Sequence, residues 1–188
     1  GEEKVLPLFP IYLDKRLTGY PSQSFSVVLK ELSRAVILIK EMFEETENLF
    51  IDFKPSAFKR IDYIEVVIDE LQDEILDFLD CLKKEKLTQK DVKKAICLAT
   101  ITDELERIGD RILNVAKLAR LKAKKEVVFS QEAEEEIKGI LSMLKNSFSI
   151  LEKTISSLSS NYLNDILAQK KDFEEKISSA LNNHLERF

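Results

Sequence analysis

Two pairs of acidic residues stand at the spacing that helical metal sites use: Glu65 with Asp69, and Glu106 with Asp110. At about 100° of rotation per residue, the members of an i, i+4 pair lie about 40° apart on one helix face. Two carboxylates so placed can converge on one hard cation or bridge neighbouring ions, and bundle metal sites draw such groups from facing helices. Both pairs flank an apolar stripe rather than the opposite, solvated face. Charged residues are 34% of the chain, so acidic pairs also arise by composition, and a solvated face or salt bridges is the stronger reading of the spacing alone.

Other chemistries are poorly supplied. His184 is the single histidine, so one chain can assemble neither a His-rich zinc site, nor a Ser-His-acid triad, nor the histidines of a carboxylate-bound di-iron enzyme. No Walker sequence or Gly-rich dinucleotide loop is present. Two-carboxylate hydrolysis lacks a substrate cleft between long helices. Cys81 and Cys97 form no CxxC motif, and two cysteines in a highly charged chain point to a reducing compartment, with each read as a small buried hydrophobe. A net charge of −5 argues against broad binding to nucleic acid or anionic lipid.

The elements that carry the acids are helices. All four prolines lie in the first 55 residues, and residues 56–188 hold only Gly109 and Gly139 as breakers. The segment LPLFPIYLDKRLTGYP reads as an extended arm, with Leu8, Phe9, Ile11, Tyr12 and Leu13 against helices. Apolar residues at three-and-four spacing then predict a first helix from about Ser22 to Phe50 and a second from Ser56 to about Lys84. Thr88 and Asp91 form a capping signal for a third, which runs to about Ala123. Ser130 opens a fourth, and Leu163, Ile166, Phe173, Ile177 and Leu181 mark a fifth.

Short connections make these helices antiparallel neighbours. The expected organisation is an arm at 1–21, a complete three-helix unit at 22–123, and two helices of an incomplete second unit at 124–188. Asp69 lies about 15 residues before the connection at 84–88 and Glu106 about 18 after it, so the two acidic pairs share a height within about one turn. Gly109 interrupts the third helix at a cost of about 1 kcal/mol relative to alanine. Close approach of a backbone, metal-bound solvent, or simple tolerance each accounts for it, and Arg107 and Arg111 beside it can pair with acids.

Thr102–Ala119, TDELERIGDRILNVAKLA, resembles the signature segment of PhoU-like proteins, with Glu106 and Asp110 on its acidic motif. Glu65–Leu82, EVVIDELQDEILDFLDCL, resembles the preceding helix, with Glu65 and Asp69 on the other acidic pair. FPIYLDKRL followed by TGYPSQSF resembles the segment joining the membrane part of sodium/phosphate cotransporter family proteins to their cytosolic PhoU-like domain. The resemblance implies an all-α long antiparallel bundle of tandem three-helix units and a non-catalytic regulatory role in phosphate uptake. It also implies iron or zinc held by Glu65, Asp69, Glu106 and Asp110. The implied partners are the membrane portion of a parent transporter and phosphate-signalling proteins, at the cytosolic face of a membrane. A structural adaptor or oligomerisation domain without metal is the competing reading.

The second unit departs from the family pattern. HLERF at 184–188 resembles the end of its middle helix, and Lys170, Lys171 and Lys176 interrupt the acids Asp172 and Glu175. Without a sixth helix, the apolar faces around Phe148, Leu151, Phe173 and Ile177 need cover from a second chain, the arm or the first bundle, with a homodimer favoured. No run reaches eighteen apolar residues, so this chain does not span a bilayer. A start at Gly1 with no basic run before a signal core reads as a cleaved tag or a piece of a longer protein.

Overall fold

The computed structural model describes residues 5–157, 171 and 174–176. Helix α1 spans Pro21–Ile51, α2 Pro55–Lys83, α3 Gln89–Lys125 and α4 Gln131–Ser157, with a short 3-10 turn at Lys15–Leu17 before them. Proline opens both α1 and α2, where its fixed φ suits the first helical turn and its missing N–H is not needed. Pro55 also disfavours a helical Lys54, which separates α1 from α2. At α3 the expected capping box is present: the Asp91 N–H donates to Thr88 Oγ1 at 3.1 Å, and the Thr88 N–H donates to Asp91 Oδ2 at 3.2 Å. Glu126 ends α3 in the left-handed region at φ 52°. Ser130 Oγ accepts the Ala133 N–H at 3.2 Å at the start of α4.

Helices α1, α2 and α3 pack on one another along the predicted stripes, and α4 lies against α1 and α3. One continuous core includes Ile39 and Met42 of α1, Ile64 and Ile68 of α2, Leu105 and Ile112 of α3, and Leu144 of α4. Each such buried side chain contributes roughly 1.5–3 kcal/mol. Arg60 of α2 pairs with Glu41 of α1 at 2.7 Å, and Lys145 of α4 with Glu47 of α1 at 2.5 Å.

Three expectations are sharpened. First, of the three covers expected for the stripe of α4, the first bundle is in place: Phe148 is 5% and Leu151 4% exposed, and the Phe148 ring tilts against Phe43 of α1 at 5.6 Å between centroids. The first bundle has spare apolar surface on α1 and α3, and α4 takes it. Phe173, Ile177 and the rest of the fifth helix lie outside the described residues.

Second, the arm is only half apolar anchor. Leu6, Leu8 and Leu13 pack on the core, whereas Phe9 is 61% exposed and Ile11 and Tyr12 also face solvent. The reason is polar. Glu31, wholly buried in α1, accepts the backbone N–H of Ile11 at 2.5 Å and that of Tyr12, and so holds the arm by its backbone. Third, Cys81 and Cys97 are half-buried free thiols rather than fully buried ones, and burial pushes the Cys97 thiol up.

Candidate acidic site between the second and third helices

Glu65 and Asp69 project from α2 toward the α3 pair Glu106 and Asp110. The apolar stripes that bury Ile64 and Ile68 of α2 and Leu105 and Ile108 of α3 force this, because each acid is adjacent to a core position. One turn further along α2, Gln72 Nε2 donates to Asp103 Oδ1 of α3 at 3.0 Å and fixes the register of the two helices. Asn114 Nδ2 reaches Asp110 Oδ2 at 3.4 Å. The expected matching of heights is therefore present.

The electrostatics follow from this crowding. Glu65 is half-buried, and burial together with the charges of Asp69, Asp110, Asp62 and Glu106 pushes its carboxyl up to about 7. Burial also raises the Glu106 carboxyl, helped by Asp69 and Asp110 and opposed by Arg107. The Asp69 carboxyl is raised by burial and by Asp110 and Asp73, while a hydrogen bond with Glu65 holds it back. Of the two acids on α2, Glu65 is the one pushed furthest toward its protonated form, which eases the repulsion between them.

Asp69 and Asp110 sit at the wet edge and Glu65 and Glu106 deeper. Among the described residues, no group of three or more His, Cys, Asp and Glu side chains is arranged to hold a metal ion. Facing helices bring the carboxylates into each other's fields, but chelation further requires their oxygens to point at one centre.

The residues around the site are settled. Gly109 meets neither a backbone nor a tight contact: a Cβ there would lie 3.7 Å from Ile68 Cγ2 and 4.0 Å from Met42 Sδ, which is ordinary packing. Arg107 pairs with buried Glu104 at 3.2 Å and also bonds Glu174. Burial lowers the Arg111 guanidinium, against the favourable charge of Glu104.

This geometry, three long helices with an acidic wall between the second and third, is where the comparison with known families falls. Residues 32–119 match the PhoU domain. The match runs from Leu32 in α1 to Ala119 in α3 and contains all four acids. No curated protein and no solved structure matches the chain. The described residues form an all-α, PhoU-like helical bundle, and the PhoU domain is a non-catalytic regulatory module. Nothing in the match singles out sodium/phosphate cotransporters. Among the described residues, no helix is long and apolar enough to cross a membrane.

Sequence reasoning passed over two charged groups in the helices. Glu31 and Glu104 are both buried, each inside an apolar stripe: Glu31 lies between Val28 and Ala35, and Glu104 between Ile101 and Ile108. An acid at a core position was the available signal, since such a residue must find partners. Arg34 Nε and the arm supply them for Glu31, and Arg107 does so for Glu104.

Proposed function

We propose that this chain is a non-catalytic PhoU-like regulatory domain that acts as a rigid helical adaptor in the control of phosphate uptake. The observation that carries the reading is the PhoU match over α1–α3, whose shared core makes one stiff unit. The arm resemblance supports a place beside the membrane portion of a sodium/phosphate cotransporter-like parent, at the cytosolic face. A homodimer and contact with phosphate-signalling proteins belong to the same reading.

Deleting residues 22–157 from the gene is the test. The expected outcome is phosphate uptake that no longer responds to external phosphate over a concentration series. Uptake that responds as before at every concentration rejects the regulatory role.

A second reading is favoured by the mutual repulsion of Glu65, Asp69, Glu106 and Asp110. Iron or zinc would relieve that repulsion if the side chains rearranged to meet it, because a cation favours the charged form of each carboxyl. The paired variant Glu106→Gln with Asp110→Asn separates the two readings: regulation persists if the domain is an adaptor and is lost if it works through bound metal. Metal content measured on protein purified without chelator gives an independent answer.

A further inference from the structure

A cleft of about 650 Å³, sharing no lining residue with the acidic wall, opens between the arm, α1 and the start of α3. Its charge is opposite to that of the chain. Lys30, Arg34 and Lys94 line it, and no carboxylate stands among the described lining residues, although the whole molecule carries a net charge of −5.

Lys122 and Lys145 each lie over an aromatic ring and also pair with a carboxylate. Lys94 lies over the Phe25 ring at 4.8 Å and Lys30 over the Tyr12 ring at 5.8 Å, and neither has a carboxylate partner among the described residues. Aromatic faces position these ammonium groups without neutralising them. Arg34 is fastened at the back of the cleft by Glu31 at 3.1 Å and by the Phe9 carbonyl at 3.2 Å, yet its Nη1 is buried with no acceptor among the described residues. Ser22, Ser26 and Ser33 add hydroxyls. Ser22 also brings in the first turn of α1, which has neither a side-chain cap nor an acidic residue to offset its positive end.

With Arg34 balanced by Glu31, Lys30 and Lys94 leave two positive charges with no carboxylate partner among the described residues. A phosphate monoester carries about −1.5 to −2 at neutral pH, with three acceptor oxygens for this set of donors. Leu29, Ile37 and the Tyr12 ring supply an apolar wall, and the volume falls in the range of sites for organic ligands of roughly 300–1,000 Å³, well beyond a bare phosphate ion. We infer that this cleft binds a phosphate monoester, with Lys30, Lys94 and Arg34 at the phosphate and the apolar wall against its organic part. The site is separate from the acidic wall and does not depend on metal there.

The ester can be a soluble small molecule or a lipid headgroup, and two probes separate them. Phenyl phosphate titrated into the full ¹⁵N-labelled chain should shift the amides of Ser22, Ser26, Ser33 and Lys94 saturably. The double variant Lys30→Gln with Lys94→Gln should weaken this by at least ~tenfold, the loss expected for a charge-assisted contact. Lys117→Gln with Lys124→Gln, an equal charge change at exposed sites on α3, should leave it unchanged. Co-sedimentation with vesicles of phosphatidic acid in phosphatidylcholine, abolished by the same double variant, assigns the site to a lipid headgroup. Response to phenyl phosphate with inert vesicles assigns it to a soluble ester. The inference is overturned if neither probe binds, or if binding is the same in the double variant, whose unchanged melting temperature confirms that it folds.

Discussion

The carboxylate of Glu31 accepts the backbone N–H of Ile11 at 2.5 Å, across twenty residues of chain. The same side chain takes the Tyr12 N–H and the Arg34 guanidinium, so one buried acid joins the arm to the first helix. Glu31→Ala should therefore cost about 3 kcal/mol, the lower end for breaking a buried ion pair because Arg34 can turn toward water. Amide hydrogen exchange should rise sharply at Ile11 and Tyr12. Glu31→Gln retains an acceptor and should lose less. Unchanged exchange at both amides in the alanine variant would refute the latch.

The acidic wall predicts a pH dependence. Glu65 holds its proton to about 7 in the folded chain but to its ordinary value of 4.5 when unfolded. Between those values the folded state binds more protons than the unfolded one, so stability falls as pH rises through the interval and stays low above it. Raised Asp69 and Glu106 act in the same direction. Glu65→Gln should flatten this part of the urea-midpoint profile and exceed the parent chain at about pH 8. A Glu65 carboxyl resonance that titrates at its ordinary value would remove the basis for the effect.

Gly109→Ala should stabilise the protein by about 0.5–1 kcal/mol. The new methyl meets Ile68 and Met42 at ordinary contact distance, and the helix gains the propensity that glycine lacks. Thermal denaturation decides it. A lowered midpoint would mean that something not visible in the packing needs the bare backbone.

Phe148→Ala should cost about 3 kcal/mol or more, because it empties a buried site against Phe43. Its partner belongs to the same chain, so the loss should be the same at all protein concentrations. A loss that shrinks on dilution would place a second copy against α4 instead.

The helices were legible because two independent signals coincide at their ends. Pro21, Pro55, the Thr88–Asp91 capping box and Ser130 punctuate the chain where the apolar periodicity starts afresh. The facing of Glu65 and Asp69 with Glu106 and Asp110 was legible too, since it needs only helix rise and a short connection. Where their oxygens point was not legible, because side-chain rotamers decide it, and among the described residues no group of three or more His, Cys, Asp and Glu is arranged to hold a metal ion. The docking of α4 was half legible: its stripe demands a partner, but no local pattern names α1 and α3. The cleft was hidden for a related reason. Lys30 and Lys94 lie on different helices, and only the folded chain brings them to one wall.

Residues 52–54 and 84–88 are the whole of the connections between α1 and α2 and between α2 and α3, and this sets an order in time. Closing such short loops costs little chain entropy, so the contacts of neighbouring helices form early and quickly. Residues 126–130 join α4 to α3 as closely, but the contacts of α4 with α1 that cover Phe148 close a far longer loop and come late. Until then Phe148 and the surface of α1 that receives it are both open, which confines the interval of greatest self-association during refolding to a single docking step. Refolding followed by pulsed hydrogen exchange should show α1–α3 protected before α4, and simultaneous protection of all four would reverse this sequence of events.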